Sequence, residues 1–376
     1  MPGQPFPLGG PIARKDVVDR EDFLDSLQLR LSHGHSVMLA GPRRTGKTSI
    51  AFELLRRLEE KGFYTAFVDT FKLADKRELA LTLIDACLRN RTGMPRTTEA
   101  LKDGLKRIAG SAKLAVKLHD LEISLGFPDT QQDDNALLNY ALDLSDRLAK
   151  ADGKRMIVVF DEFQDAGNIG GPGIYKVMRS HFQTHEKAAY LFLGSKESLV
   201  KTIFSDQKQA FYRFATILPI PPIPNEAWTE YITKRYNESS IQADPGPVGE
   251  IVALTGGHPQ DTMFVCSEIY FSLLEARQGI ISLEFVRTGY DRAMSILSPM
   301  FDQILAEIRD KVQAYAVLKR IAGNEHIYPK RNNSTEIKRA VDYLLEKSII
   351  VRNGRGTYKF VEPMFADYVR RFSARQ

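Results

Sequence analysis

Residues 36–48 read Ser36-Val37-Met38-Leu39-Ala40-Gly41-Pro42-Arg43-Arg44-Thr45-Gly46-Lys47-Thr48. The first part is a short apolar run, which predicts a buried strand, and the Gly-Pro pair after it predicts that the strand ends in a loop. From residue 50 to residue 60 the apolar side chains recur at helical spacing, so a helix should follow. The stretch therefore predicts a strand, a tight loop and a helix in direct succession.

The loop fits the pattern Gly-x-x-x-x-Gly-Lys-Ser/Thr at every required position. Its glycines let the backbone wrap closely, so that N–H groups and the positive end of the helix face a phosphate group. We expect Lys47 to reach the β- and γ-phosphates of ATP and the Thr48 hydroxyl to bind Mg²⁺. The candidate nucleotide-binding residues are Gly41, Pro42, Arg43, Arg44, Thr45, Gly46, Lys47, Thr48 and Ser49.

A second motif follows the apolar run at residues 156–160, which predicts another buried strand. Asp161 stands at its carboxyl end, where it would meet Mg²⁺ together with Thr48. Glu162 beside it could accept a proton from the attacking water, as a general base. The alternative is that these two carboxylates only cap a helix.

Three further residues are candidates for sensing or neutralising the γ-phosphate. Ser195 follows the apolar run at 189–193 and is a candidate sensor, although it could equally cap the helix predicted after it. Arg213 lies among aromatic residues just before the last predicted strand, and Arg179 lies on the helix after the acidic motif. The planar, permanently charged guanidinium of arginine is suited to neutralising the charge that develops on the γ-phosphate. Arg179 would do so for the nucleotide of a neighbouring subunit. For both arginines a surface or packing role is equally open.

Strands that alternate with helices up to residue 222 predict an α/β domain with a parallel sheet covered on both faces. An insertion at about 91–135 interrupts it, with a basic amphipathic helix expected over 101–113 and a hairpin that turns at His119-Asp120. The proline-rich run at 218–224 ends the domain. Residues 223–300 predict a helical lid domain, and residues 301–376 predict two helices and a β-hairpin, as in a winged helix-turn-helix.

The composition is that of a soluble globular protein, with 43% hydrophobic and 26% charged residues and only two cysteines among 376 residues. Two distant cysteines favour a reducing, cytoplasmic compartment, and no apolar run is long enough to span a membrane. Residues 301–376 carry 15 Lys and Arg against 9 Asp and Glu, while the first 300 residues carry 37 against 38. The basic surplus therefore lies in the last fifth of the chain and indicates an anionic partner there.

Taken together, the motifs resemble the archaeal-type ATPases, a group in the STAND branch of AAA+-like P-loop NTPases that is related to the origin-initiator ATPases. The resemblance covers essentially the whole chain and is carried by six segments, at residues 41–48, 160–164, 192–195, 211–213, 255–259 and 362–368. It implies an ASCE sheet with strand order 5-1-4-3-2, a helical lid and a C-terminal winged helix. It also implies that Pro259, and with it His258, contacts the base or ribose, and that the segment Asp19-Arg20-Glu21 borders the base. Many STAND proteins carry a repeat domain after the winged helix, and we expect no such array within the 376 residues given.

The sequence thus predicts a slow ATPase that works as a molecular switch, with ATP and Mg²⁺ as cofactors and the winged helix as the effector module. Two alternatives remain open. One is an initiator-like or transposition-like regulator whose winged helix binds double-stranded DNA through Lys338, Arg339 and other basic residues. The other is a nucleotide-gated module with negligible turnover that contacts a protein partner or a second copy of itself.

Overall fold

A computed structural model of the chain describes residues 4–10, 12–89, 111–118, 121–127, 134–195, 202–328, 334–354 and 356–373. Its strands, in chain order, are β1 (Val37–Ala40), β2 (Tyr64–Asp69), β3 (Ser111–Leu118), β4 (Leu121–Phe127), β5 (Met156–Asp161), β6 (Ala188–Gly194), β7 (Thr216–Pro219), β8 (Ile350–Gly354) and β9 (Thr357–Phe360). Its helices include α1 (Glu21–Ser32), α2 (Lys47–Glu60), α3 (Lys76–Arg89), α4 (Asp134–Ala151), α5 (Ala166–Gly170), α6 (Ile174–Phe182), α7 (Asn225–Glu238), α8 (Pro245–Thr255), α9 (Pro259–Glu275), α10 (Leu283–Arg309), α11 (Val312–Ala322), α12 (Ser334–Glu346) and α13 (Pro363–Ser373). We call the part from α1 to β7 the sheet domain, α7–α10 the lid and the part from α11 to α13 the C-terminal unit.

Five parallel strands form the central sheet in the order β2-β5-β6-β1-β7. When these five strands are numbered 1 to 5 along the chain and the sheet is read from β7, the order is 5-1-4-3-2. The predicted α/β fold class is therefore confirmed. In the register, Asp69 lies beside Asp161 and Ala40 lies beside Gly194. The carboxyl ends of β1, β2, β5 and β6 therefore meet at one edge of the sheet, which is where ligands bind in open parallel sheets.

Helices cover both faces of the sheet. In β5, Val158 and Phe160 belong to the apolar cluster on one face, which α3, α4 and α6 complete. The alternate residues Ile157 and Val159 belong to the cluster on the other face, which α1 and α2 complete. Burial on both faces explains why these strands have continuous apolar sequences rather than alternating ones.

The insertion between α3 and α4 contains the predicted hairpin, since β3 and β4 pair in antiparallel register. Its turn at His119-Asp120 and residues 101–110 of the predicted helix lie outside the described residues. The end of that helix prediction is wrong, because Ser111 already begins β3. The basic residues at helical spacing upstream had suggested a helix, whereas the segment from residue 111 alternates as a strand does.

The lid and the C-terminal unit share one apolar core. Trp228 of α7, Ile269 of α9, Phe301 of α10, Leu344 of α12 and Tyr368 of α13 are all buried in it. The helix α10 passes residue 300, at which the sequence suggested a boundary, so the division into 1–222, 223–300 and 301–376 stays a prediction. The C-terminal unit consists of helices, the antiparallel pair β8–β9 and a last helix, which are the elements expected for a winged helix.

The segment before α1 packs against the lid. Phe6 is fully buried in the core of the lid and the C-terminal unit. Arg235 Nε donates a hydrogen bond of 2.8 Å to the Pro5 carbonyl, and the Tyr231 hydroxyl donates one of 2.8 Å to Asp16 Oδ1. This segment therefore connects the sheet domain to the lid through side chains that periodicity could not identify.

The two cysteines are free and buried, Cys87 in the sheet domain and Cys266 in the lid core. Burial raises the pKa of the Cys87 thiol to about 12 and also raises that of Cys266. Burial therefore disfavours the thiolate, which is the reactive form, at both residues. None of the helices within the described ranges combines the length and the apolar composition that a membrane span requires.

Replacing Phe6 with alanine should destabilise the lid, since a buried phenylalanine leaves a cavity that costs about 3–5 kcal/mol of the free energy of unfolding. Trp228, the only tryptophan, lies in the same core, so its fluorescence in a urea titration reports the unfolding. Phe71→Ala is the matched control, because Phe71 is 66% exposed and such changes cost under about 0.5 kcal/mol. Equal urea midpoints for both variants would contradict the packing of this segment.

Candidate functional site

The loop between β1 and α2 turns sharply at Gly46, which has a φ of +88° and stands at the N-cap of α2. A residue with a side chain would be strained in this conformation, although its Cβ would meet no other atom. The Gly46 carbonyl accepts the hydrogen bond of 2.9 Å from the Ile50 N–H that begins the helix. The free N–H groups of the first turn of α2 make this helix start a favourable position for an anion.

Lys47 is the first residue of α2, and its side chain points back into the loop and is buried. Its Nζ donates a hydrogen bond of 2.8 Å to the Gly41 carbonyl and another to the Pro42 carbonyl. The Thr45 hydroxyl donates to the same Pro42 carbonyl at 2.9 Å. The loop therefore holds the ammonium group inside its own curve, next to the start of the helix.

Thr48 and Asp161 connect the loop to the end of β5. The Thr48 hydroxyl donates a hydrogen bond of 2.8 Å to Asp161 Oδ2. Burial raises the pKa of Asp161 above its usual range and the neighbouring Glu162 charge adds to this, while the bond from Thr48 opposes it. The Thr70 hydroxyl bonds to the carbonyl oxygens of both Asp161 and Glu162, at 2.8 and 2.7 Å, and so fixes the turn that carries them.

Glu162 is held by neighbouring hydrogen-bond donors. Its Oε2 accepts a bond of 2.6 Å from the Ser195 hydroxyl, one of 3.3 Å from the Ser195 N–H and another from Gln164 Nε2. Burial raises the pKa of Glu162, but the bonds from Ser195 and Gln164 and the charge of Lys47 outweigh it and leave the pKa below its usual value. Ser195 thus directly follows β6 and contacts the candidate base.

A cavity of about 640 Å³ lies between this loop, the lid and the segment before α1. Residues 43–50 and Glu162 line it from the sheet domain. Gly41 and Pro42 do not line it, because their carbonyl oxygens face Lys47. The remaining lining side chains are largely apolar and come from residues 7–20, from Ile223 and from the lid, among them Val18, Trp228, Met263 and Phe264.

The two predicted lid residues differ in their positions. Pro259 lines the cavity from the first turn of α9. His258 caps this helix instead and is buried beside Asp261, with its Nδ1 3.2 Å from Asp261 Oδ1. Its Nε2 is also buried and has no hydrogen-bond partner among the described residues. The structure therefore brings Pro259, but not His258, to the cavity wall.

A second cavity, of about 520 Å³, adjoins the first at the carboxyl edge of the sheet. Arg43, Thr48 and Glu162 line both cavities, and the second also includes Asp69 and Asp161. Arg43 Nε lies 3.5 Å from the Ser195 hydroxyl oxygen. Cationic, hydroxyl and carboxylate groups thus converge at the boundary between the two cavities.

Arg213 and Arg179 do not join this site. Both line a third cavity, of about 580 Å³, with Ser36, Ala188 and Thr216, which stand at the beginnings of β1, β6 and β7. These are the amino ends of the strands and thus the opposite edge of the sheet. Arg213 therefore lies at the opposite edge of the sheet from the loop of residues 41–48 (the phosphate loop) of its own chain, because it precedes the amino end of β7, and its role at a γ-phosphate stays a prediction.

Thr70 and Glu362 were not predicted as site residues, whereas Arg20 belongs to the segment that the resemblance places beside the base. Thr70 directly follows the carboxyl end of β2, a position that could have pointed to it once the sheet order was known. Arg20 lines the main cavity, is only 5% exposed and bonds just one described group, the Asp19 carbonyl. Glu362 of the C-terminal unit contacts Arg44 of the loop, and no local pattern relates two residues so far apart in sequence.

Solved structures share this fold over nearly their whole length. The Walker-type ATPase PABY2304 of Pyrococcus abyssi is 17% identical, with 97% of this chain and 99% of that chain covered and a TM-score of 0.70. The Aeropyrum pernix ORC2 protein, solved as ADPNP–ADP complexes, is 12% identical, with 100% and 99% covered and a TM-score of 0.61. The Aeropyrum pernix ORC1 protein in complex with DNA is 15% identical, with 98% and 100% covered and a TM-score of 0.51. Identities this low show the fold alone.

Sequence comparison identifies the family. No curated protein sequence matches this chain. Residues 17–263, more than half of the chain, match the family described as an ATPase domain predominantly from Archaea. The matched part contains the central sheet, the loop with Lys47, the acidic turn at Asp161 and the beginning of α9. The chain therefore belongs to this family of ATPases found predominantly in Archaea, as its motifs had indicated.

Proposed function

We propose that the protein binds ATP with Mg²⁺ between its sheet domain and its lid, and that slow hydrolysis switches the position of the C-terminal unit. Membership in the ATPase family supports ATP binding and hydrolysis. The observation that carries the proposal is the single cavity lined by the phosphate loop, by Pro259 of the lid and by the segment before α1. A ligand that fills it would contact all three parts at once.

The cavity suits a nucleoside triphosphate in size and in chemistry. Its volume of about 640 Å³ lies in the usual range for small-molecule sites. Lys47, Arg43 and Arg44 together with the start of α2 supply positive charge for the phosphates, and apolar side chains such as Val18 and Met263 supply a surface for the base. The adenine nucleotides of the ORC2 structure agree with this ligand class.

The hydroxyl of Thr48 and the carboxylate of Asp161 are hard oxygen ligands, 2.8 Å apart, of the kind that Mg²⁺ takes beside phosphate oxygens. Among the residues that the structure describes, no group of three or more His, Cys, Asp or Glu is arranged to hold a metal ion by itself. When bound, Mg²⁺ would neutralise phosphate charge. Thr48 and Asp161 would hold it at the end of β5.

Glu162 is the proposed general base, and its surroundings favour slow turnover. Hydrogen bonds from Ser195 and Gln164 stabilise its ionised form and lower its pKa, so it accepts a proton less readily than a glutamate without them. In addition, Arg213 and Arg179 line a cavity at the other edge of the sheet and cannot neutralise charge at this site. Lys47, Arg43, Arg44 and the buried Arg20 are the cations that line the cavity.

Replacing Lys47 with alanine should lower the affinity for ATP by about 100-fold or more, because the variant lacks a buried ammonium whose charge-assisted bonds are worth about 3 kcal/mol together. Isothermal titration calorimetry measures the change. Lys61→Ala is the control, since Lys61 is exposed just past the other end of α2. Unchanged ATP affinity in a folded Lys47→Ala protein would rule out this binding site.

Replacing Glu162 with glutamine should keep ATP affinity within about threefold and lower turnover by about 100-fold or more, the usual contribution of a general base. The amide oxygen can still accept the bond from Ser195, so the turn should keep its geometry. Phosphate release under saturating ATP measures turnover, with the exposed Glu230→Gln as control. If wild type and variant are equally slow, the protein is instead a nucleotide-gated interaction module with negligible turnover.

Double-stranded DNA is a second candidate partner, and the exposed cations of the C-terminal unit favour it. Four exposed cations of this unit form no ion pair with any residue that the structure describes, namely Lys338, Arg339, Arg352 and Lys359. Glu336, Asp342 and Glu346 on the same helix α12 oppose the reading, which leaves an initiator-like or transposition-like role and a protein-contact role as alternatives. The solved ORC1 protein was in complex with DNA.

DNA binding through these four cations should weaken by about 100-fold between 50 and 200 mM salt, since each phosphate contact releases a counterion. Fluorescence anisotropy of a labelled duplex, with and without ATP, measures the slope. Exchanging Arg339 and Arg352 for alanine should reduce the slope by about two, whereas Arg371→Ala should change it little, because Arg371 is paired with Asp291 and Asp367. A duplex that stays unbound at 50 mM salt would favour the protein-contact role.

A further inference from the structure

The C-terminal unit contacts the phosphate loop through one ion pair. Arg44 Nη1 lies 3.0 and 2.9 Å from the two carboxylate oxygens of Glu362, and Arg44 Nη2 lies 3.5 Å from the Met300 sulfur. Arg44 also lines the nucleotide cavity. Its φ of +65° is a conformation that an arginine seldom adopts. The loop therefore holds Arg44 where its guanidinium can meet either Glu362 or an anion in the cavity.

Glu362 stands at the junction between the C-terminal unit and the lid. Its carbonyl accepts hydrogen bonds from the Phe365 and Ala366 N–H groups, which begin α13. Asp261, two residues after Pro259, accepts a bond of 3.2 Å from the Met364 N–H. The first turn of α13 is therefore attached to the lid wall of the cavity as well as to the phosphate loop.

A second polar contact connects the C-terminal unit to the candidate base. The Ser348 hydroxyl lies 3.4 Å from the Ser195 carbonyl oxygen, as a donor to it, and the Ser195 hydroxyl in turn donates to Glu162. By contrast, the apolar core of the C-terminal unit is continuous with the lid and separate from the two cores of the sheet domain. The unit thus meets the sheet domain through polar groups, which can separate without exposing a core.

We propose that the Arg44–Glu362 ion pair is an autoinhibitory latch, in which Glu362 and the terminal phosphate of a bound nucleoside triphosphate compete for Arg44. This inference rests on the proposed function of the cavity. A triphosphate carries several negative charges and the Glu362 carboxylate carries one, so Arg44 moves to the phosphate when ATP is bound. The C-terminal unit then loses its ion pair to the loop and is released from the sheet domain.

The latch also acts in the reverse direction, because coupling between two binding events is reciprocal. While Glu362 is paired with Arg44, it withholds one phosphate ligand and keeps a negative charge close to the cavity. The closed latch therefore lowers the affinity for ATP. A diphosphate, which lacks the terminal phosphate, competes less well and leaves the latch closed.

Nucleotide affinity tests this competition. Glu362→Gln should bind ATP about five-fold tighter or more, the lower end of typical coupling, with a smaller change for ADP. Arg44→Gln should not bind ATP more tightly, and the double variant should match Arg44→Gln within about twofold, since Glu362 acts only through Arg44. Glu275→Gln is the matched control, because Glu275 pairs with both terminal nitrogens of Arg292 on the lid surface. Equal ATP affinities of Glu362→Gln and wild type would overturn the latch.

Release of the C-terminal unit needs a separate measurement. Lys61→Cys on the sheet domain and Asn353→Cys on the hairpin place fluorescent labels at two exposed positions, and the buried Cys87 and Cys266 should not react. Energy transfer should fall when ATP is added, stay high with ADP, and be low without nucleotide in Arg44→Gln and Glu362→Gln. Equal transfer with ATP and without nucleotide, in a protein that calorimetry shows to bind ATP, would overturn the latch alone. Failure of the wild-type chain to bind ATP would refute the proposed function itself.

Discussion

The hydrogen bond of 2.8 Å between the Thr48 hydroxyl and Asp161 Oδ2 joins the two halves of the candidate site. Thr48 lies in the first turn of α2 and Asp161 at the end of β5, and β5 and β1 are separated in the sheet by β6. The contact is possible only because all these strands are parallel and end at the same edge. Sheet order, the turn at Gly46 and the acidic turn at Glu162 must therefore all be correct before a metal ion and phosphates can meet here.

At the same edge of the sheet, burial and hydrogen bonding shift the pKa values of the adjacent carboxylates Asp161 and Glu162 in opposite directions. Burial dominates at Asp161 and raises its pKa, whereas three donors around Glu162 Oε2 lower the pKa of that carboxylate. A glutamate stabilised in this way is ionised but weakly basic. In this arrangement the Glu162 carboxylate can accept a proton, but it becomes more basic only when the hydrogen bonds from Ser195 and Gln164 are broken. Within the proposed function, this arrangement favours slow turnover, in which the nucleotide stays bound for long periods.

Features that depend on neighbouring residues could be predicted from the sequence, whereas contacts between residues far apart in the chain could not. The turn at Gly46, the buried strand before Asp161 and the end of β6 at Ser195 each follow from residues within a few positions of one another. The helix predicted over 101–113 failed at residue 111, where helical and strand spacing were read from one continuous segment. Arg213 was a candidate for the γ-phosphate because of its residue type and its aromatic neighbours. Its distance from the phosphate loop is set by the direction of β7, because Arg213 lies just before the amino end of that strand. Thr70 and Glu362 are set by the fold alone, since their partners lie in other elements.

The distribution of apolar and polar contacts separates the chain into parts that must move together and parts that need not. Phe6 and the residues of α7–α13 share a core, so rotation of the C-terminal unit carries the lid with it. Between that unit and the sheet domain lie Arg44–Glu362 and Ser348–Ser195, contacts whose groups water can solvate after separation. Because a partly exposed ion pair contributes little net free energy, opening costs little, and a ligand that supplies a better partner for Arg44 can decide between the two states. Through these polar contacts, the binding of a phosphate can change the position of the C-terminal unit without unfolding any apolar core.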